Sequence, residues 1–162
     1  MSSDSQASRQ LLRHTVATLA YRAAKTVHNV PPDFSTFRIG STSRTPTEIL
    51  AHIGDLLEWA LSIAKGLRIW RESPPLAWDQ EIARFFEAMR KFDEYLASHE
   101  DLGSTAEKIF QGPIADALTH VGQIALLRRL AGAPVRGENY FKAEVIVGRV
   151  GPEQSGRREE FD

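Results

Sequence analysis

Four long apolar stripes with helical spacing, each closed by proline or glycine, constrain this chain more than any other feature. Leu12, Val16, Leu19, Ala20, Ala23, Ala24 and Val27 recur mostly at three- and four-residue steps. Pro31-Pro32 stops that stripe near Asn29, because proline lacks the N–H a helix needs. The second stripe opens at Thr45-Pro46-Thr47-Glu48, with threonine as N-cap, proline in the first turn and glutamate three residues after the cap. Ile49, Ile53, Leu56, Leu57, Ala60, Ile63, Ala64 and Leu67 follow, and the stripe is expected to end near Trp70, before Pro74-Pro75. A third helix is expected from Leu76 to Ser98, with Ile82, Phe85, Phe86, Met89, Phe92 and Leu96 inward and Arg84, Glu87, Lys91 and Glu94 mostly outward. Gly112-Pro113 opens a fourth, lined by Ile114, Leu118, Val121, Ala125 and Leu127 and closed at Gly132 and Pro134.

These stripes predict an all-α chain: a four-helix bundle with one long crossover connection and an irregular C-terminal tail. The crossover is assigned to the loop over 30–44, which is long for a direct antiparallel turn. Residues 1–8 are expected to be a disordered tail, 9–150 the bundle, and 151–162 a flexible tail. Short turns are expected over 104–110, and a short extended segment over 143–147.

Composition removes several classes of function. At 162 residues the chain suits one domain with a real core. It has no cysteine, which excludes disulfides, protein thiolate catalysis and cysteine zinc sites. A formal net charge of −1 offers nothing to attract nucleic acid. Every apolar stretch is interrupted short of a membrane span, and the polar first ten residues lack a signal-peptide pattern, so a cytoplasmic protein is expected.

The chemistry is carried by three residues. Asp116, His120, Gln123 and Leu127 step by four, three and four, and so share one face of the fourth helix. His52 lies among Ile49, Ile53 and Leu56, on or beside the buried stripe of the second. A carboxylate placed among apolar side chains needs a partner or a cation. Two uses fit. Asp116, His120 and His52 bind one divalent metal and leave positions open for water, or Asp116 accepts a hydrogen bond from His120 in a satisfied polar knot. His14, His28 and His99 carry no such pattern.

The stretch Ala115-Asp116-Ala117-Leu118-Thr119-His120-Val121-Gly122-Gln123-Ile124, with Leu127-Arg128-Arg129-Leu130-Ala131-Gly132 after it, resembles the last long helix of the DinB/YfiT-like family. Ile49-Leu50-Ala51-His52-Ile53-Gly54-Asp55-Leu56-Leu57-Glu58-Trp59 resembles that family's second helix with its single histidine. Members typically hold a divalent metal with three histidines, one on the second helix and two spaced by four on the last. The resemblance therefore implies a metal site of His52, Asp116 and His120, with Asp116 standing where a histidine is usual and Val121-Gly122-Gln123 matching an Arg-Gly-Gln-like triplet. Carboxylate for imidazole hardens the donor set and shifts preference from zinc toward iron, manganese or nickel.

The resemblance implies an enzyme that activates a thiol or water at one divalent metal (Ni, Zn, Fe or Mn), of S-transferase or hydrolase type, acting on a small-molecule or thiol substrate. No catalytic residue is assigned beyond the metal ligands. Gln123 is a candidate to orient a ligand, Arg128 to bind an anionic substrate group, and Tyr140, with Asn139, to close over the site. The alternative is a non-catalytic binding or dimerisation bundle whose metal site is vestigial. Trp59, Trp70 and Trp78 near the second connection suggest a homodimer; no nucleic-acid or membrane partner is expected.

Overall fold

The computed structural model describes residues 3–161. Four long helices form the molecule: α1 (Ser3–Val27), α2 (Pro46–Ala64), α3 (Trp78–Ala97) and, after the single-turn α4 (Ala106–Ile109) and a wide π-helical turn over Phe110–Ile114, α5 (Ala115–Leu130). This is the all-α bundle that the stripes predict. Helices α1 and α2 each pack against both α3 and α5, so α1 and α2 lie on one diagonal and α3 and α5 on the other. The α1–α2 connection therefore crosses the bundle, as expected. The α3–α5 connection joins diagonal helices too, and α4 and the wide turn make that second crossing.

The stripe residues of α1 are buried from Leu12 to Val27. They meet Leu50, Ile53 and Leu57 of α2, Phe85, Met89, Phe92 and Leu96 of α3, and Ile124 of α5 in one core. Each such side chain withdrawn from water contributes about 1.5–3 kcal/mol. The start of α2 is as the sequence predicts. Thr45 Oγ1 accepts from Glu48 N–H at 3.1 Å, and Glu48 Oε2 accepts from Thr45 N–H at 2.6 Å.

Several boundaries differ from expectation. Helix α1 begins at Ser3, so residues 3–8 are helical where a disordered tail was expected; residues 1 and 2 lie outside the described residues. Helix α2 stops at Ala64, well before Trp70, because Gly66 takes a left-handed conformation (φ +77°) and closes the helix with bonds from Gly66 N–H to Ile63 O and from Leu67 N–H to Ser62 O, both 2.9 Å. Gly103 packs on that turn so closely that a Cβ on it would sit 2.2 Å from Gly66 N. Leu67, counted in the stripe, is exposed. Helix α3 starts at Trp78 rather than Leu76.

The C-terminal segment is docked, not free. Residues Gly137–Glu138 (β1) pair antiparallel with Glu160–Phe161 (β2). Arg157 lies over the Tyr21 ring at 4.1 Å and donates to Tyr21 O at 3.2 Å. Val150 and Ser155 are buried. Residues 143–147 form no strand. Ion pairing to α1 holds the segment where hydrophobic patterning alone gives no anchor.

Candidate metal centre

Three of the residues singled out from the sequence meet at the α2–α5 contact. His52 comes from the flank of the α2 stripe, and Asp116 and His120 from the first turns of α5. Asp116 Oδ1 stands 3.4 Å from His120 Nε2, and Asp116 Oδ2 stands 3.8 Å from His52 Nε2. The ligating atoms of all three lie within 4.8 Å of one another, and the two imidazoles meet edge to face at 4.7 Å between centroids. Ligands held about 2.0–2.2 Å from one ion stand roughly 3.0–3.5 Å apart at tetrahedral or octahedral angles, so the group fits one ion after a small contraction.

The site is at the bundle edge rather than inside it. The side chains of His52, Asp116 and His120 are 21, 48 and 13% exposed. The expectation of a carboxylate buried among apolar groups is therefore corrected. The core face of α5 is Ala117, Val121, Ile124 and Arg128, and Asp116 is turned about 100° from Ala117 around the helix. Water reaches the carboxylate, and desolvation does not compel it to find a partner.

Gln123 Oε1 lies 2.8 Å from His120 Nδ1. In neutral His120, with the carbonyl oxygen facing the ring, Nδ1 carries the proton and the Nε2 lone pair faces Asp116. A lone pair facing a carboxylate at 3.4 Å is repulsive without a cation between them. Burial, followed by His120 in its protonated form and by Arg44, pushes His52 below its usual pKa against the opposing pull of Asp116 and Asp55. That favours the neutral imidazole, the form that ligates metal.

Tryptophans wall one side. Trp70 meets His52 at 5.8 Å and Trp59 at 5.6 Å, in both cases edge to face. The loop carrying Trp70 is tied down by an ion-pair latch that sequence patterning missed. Arg84 was expected to point outward. It turns inward to the buried Asp55 and also donates to Glu58 at 3.0 Å and to Ser73 Oγ at 3.2 Å; Ser73 N–H donates to Asp55 at 3.0 Å. Gly54 permits this approach, since a Cβ there would lie 3.2 Å from the guanidinium carbon. His52, Asp55 and Trp59 step by three and four, so spacing alone could have flagged this flank of α2.

Arg128 and Tyr140 are not at the triad. The buried Arg128 guanidinium donates to Thr26 O (3.1 Å), His28 O (2.7 Å), Asn29 O (3.1 Å) and Ala133 O (3.0 Å), satisfying carbonyls at the end of α1. That leaves it committed to the fold, not available to a substrate anion. Tyr140 packs edge to face on Tyr21 at 6.4 Å and beneath Arg22 at 4.1 Å, and Asn139 contacts Glu159.

Fold and site together define a helical bundle with a candidate two-histidine, one-carboxylate metal centre. No protein-family model, curated protein or solved structure matches this chain. No helix among the described residues is long and apolar enough to cross a membrane.

Proposed function

We propose that the chain is a DinB/YfiT-like, metal-dependent enzyme of the cytoplasm. It holds one divalent ion (Ni, Zn, Fe or Mn) through His52, Asp116 and His120 and acts as an S-transferase or hydrolase on a small-molecule or thiol substrate. The convergence of those three donor atoms within 4.8 Å is the observation that carries this. A metal there would lower the pKa of a bound thiol or water and so supply the nucleophile. In the neutral tautomer whose Nδ1–H donates to Gln123 Oε1, the His120 Nε2 lone pair is left to ligate the metal. Trp70 and Trp59 restrict water on one side, and the exposed flank at Asp116 leaves the other side open to substrate.

Metal analysis of protein purified without chelator tests this. About one ion per chain is expected, with thermal stabilisation that His120→Ala removes; an ion at a hundredfold above its Kd adds about 2.7 kcal/mol to the folded state. Substoichiometric metal with every divalent ion tried, and no stabilisation for His120→Ala to remove, overturns it.

The exposure of Asp116, together with its replacing a histidine, favours a second reading: a binding or dimerisation bundle with a vestigial site. On that reading Asp116→Asn is tolerated with no change in metal uptake, whereas the enzyme requires it to weaken. We also propose a homodimer through the α2–α3 connection. Trp78 is packed on Phe34, but Leu67, Ile69 and Trp70 stay exposed. Light scattering that gives a monomer mass at micromolar concentration contradicts the dimer.

A further inference from the structure

Beside the triad a cavity of about 230 Å³ opens between the start of α2 and the loop before α3, with His52 in its wall. It is smaller than the about 300–1,000 Å³ of sites for drug-sized ligands and suits a molecule of amino-acid size. Its charged lining separates into committed and uncommitted groups. Glu48 is held by Thr45 N–H and by Arg38 at 2.9 and 3.1 Å. Asp55 is held by Arg84 and by Ser73 N–H. Arg44 and Glu72 remain. Both are exposed, both line the cavity, and neither makes a hydrogen bond or ion pair with the other or with any other described side chain.

The two uncommitted charges are mounted on fixed backbone. Arg44 directly precedes the Thr45–Glu48 capping box. Glu72 directly precedes Ser73, whose N–H and Oγ are both held by the Asp55–Arg84 latch. The positions from which they reach into the cavity are thus set before any ligand arrives, which lowers the ordering cost of binding.

We propose that this cavity is a subsite for a small zwitterion of the α-amino-acid type. Its carboxylate sits on the Arg44 guanidinium, in the paired geometry that guanidinium favours, and its ammonium group on Glu72. A simple anion leaves Glu72 without a partner and a simple cation leaves Arg44 without one, so a ligand with both charges suits the two uncommitted groups of the lining. As a substrate subsite this rests on the metal-enzyme reading; as a binding site it rests on Arg44 and Glu72 alone.

Calorimetric titration of the full-length, metal-free protein with L-alanine, acetate and ethylammonium tests it. L-alanine is expected to bind about tenfold or more tightly than either single-charge probe. Arg44→Gln and Glu72→Gln should each reduce it to the single-charge level, with far-UV circular dichroism checking the fold of each variant. L-alanine binding no tighter than acetate or ethylammonium, unchanged in either variant, or absent at tens of millimolar, overturns the proposal. Metal uptake of the same wild-type sample separates the two readings. Alanine binding without metal uptake removes the enzyme and keeps the subsite; metal uptake without alanine binding does the reverse.

Discussion

Two polar clusters in this molecule are each built around one carboxylate, and they are satisfied in opposite ways. The Glu138 side chain is fully buried. It accepts from the Tyr21 hydroxyl and faces Lys25 at 3.4 Å and Arg157 at 3.7 Å. Burial, and then the bond to Glu138, raises the Tyr21 phenol above its usual pKa. Asp116 is half exposed and faces two imidazoles, with no arginine or lysine paired to it among the described residues. The protein supplies counter-charge to the first carboxylate and withholds it from the second. A cluster closed by its own cations fastens the chain to itself. A cluster of donor atoms without a cation has room for one from outside.

That contrast is open to test. The largest expected effect is at the closed cluster: Glu138→Ala leaves the Tyr21 hydroxyl and Arg157 without their buried partner and Lys25 with Glu160 alone, and should lower the unfolding free energy by about 1–3 kcal/mol in urea titration. The loss should be the same with and without added divalent ion. A loss that vanishes when metal is added breaks the distinction between the clusters.

At the open cluster, Gln123→Leu removes the acceptor that fixes the His120 tautomer. It should weaken metal affinity about tenfold with little change in metal-free stability. Unchanged affinity would mean that the His120–Gln123 contact does not orient a ligand.

A smaller effect is expected with pH. Folding depresses the His52 pKa, so the unfolded chain takes up that proton more readily than the folded one. Its contribution is complete above the unperturbed value of about 6.5 and is lost as pH falls below it. Metal-free protein should therefore lose stability from about pH 6.5 downward, less so in His52→Asn, as read from melting curves. The smallest effect is that of Asp116→Ala on metal-free protein, within about 0.5 kcal/mol, as suits a half-exposed group without a strong partner.

Much of this was legible in the chain. The α1 stripe and the capping box of α2 are local patterns, and local sterics and burial enforce them. The spacing of Asp116 and His120 put them on one face for the same reason. The latch was not legible. Nothing in the pattern of α3 distinguishes Arg84, which turns inward, from Glu94, which stays exposed. What turns Arg84 inward is Asp55 and the space left by Gly54 on another helix. Arg128 differs from expectation on the same grounds: a basic residue in a last turn needs no partner in sequence, yet here it meets five carbonyls, four of them at or just past the end of α1.

The sequence by itself determined the helices, their inward faces and the residue types able to bind a metal, because those follow from a 3.6-residue period and side-chain chemistry. It did not determine depth. Whether Asp116 lies in the core or at the rim depends on how α5 is rotated against α2, and only packing between helices sets that rotation. Tertiary structure alone brought His52 to within 3.8 Å of Asp116. It also left that carboxylate with no lysine or arginine paired to it among the described residues.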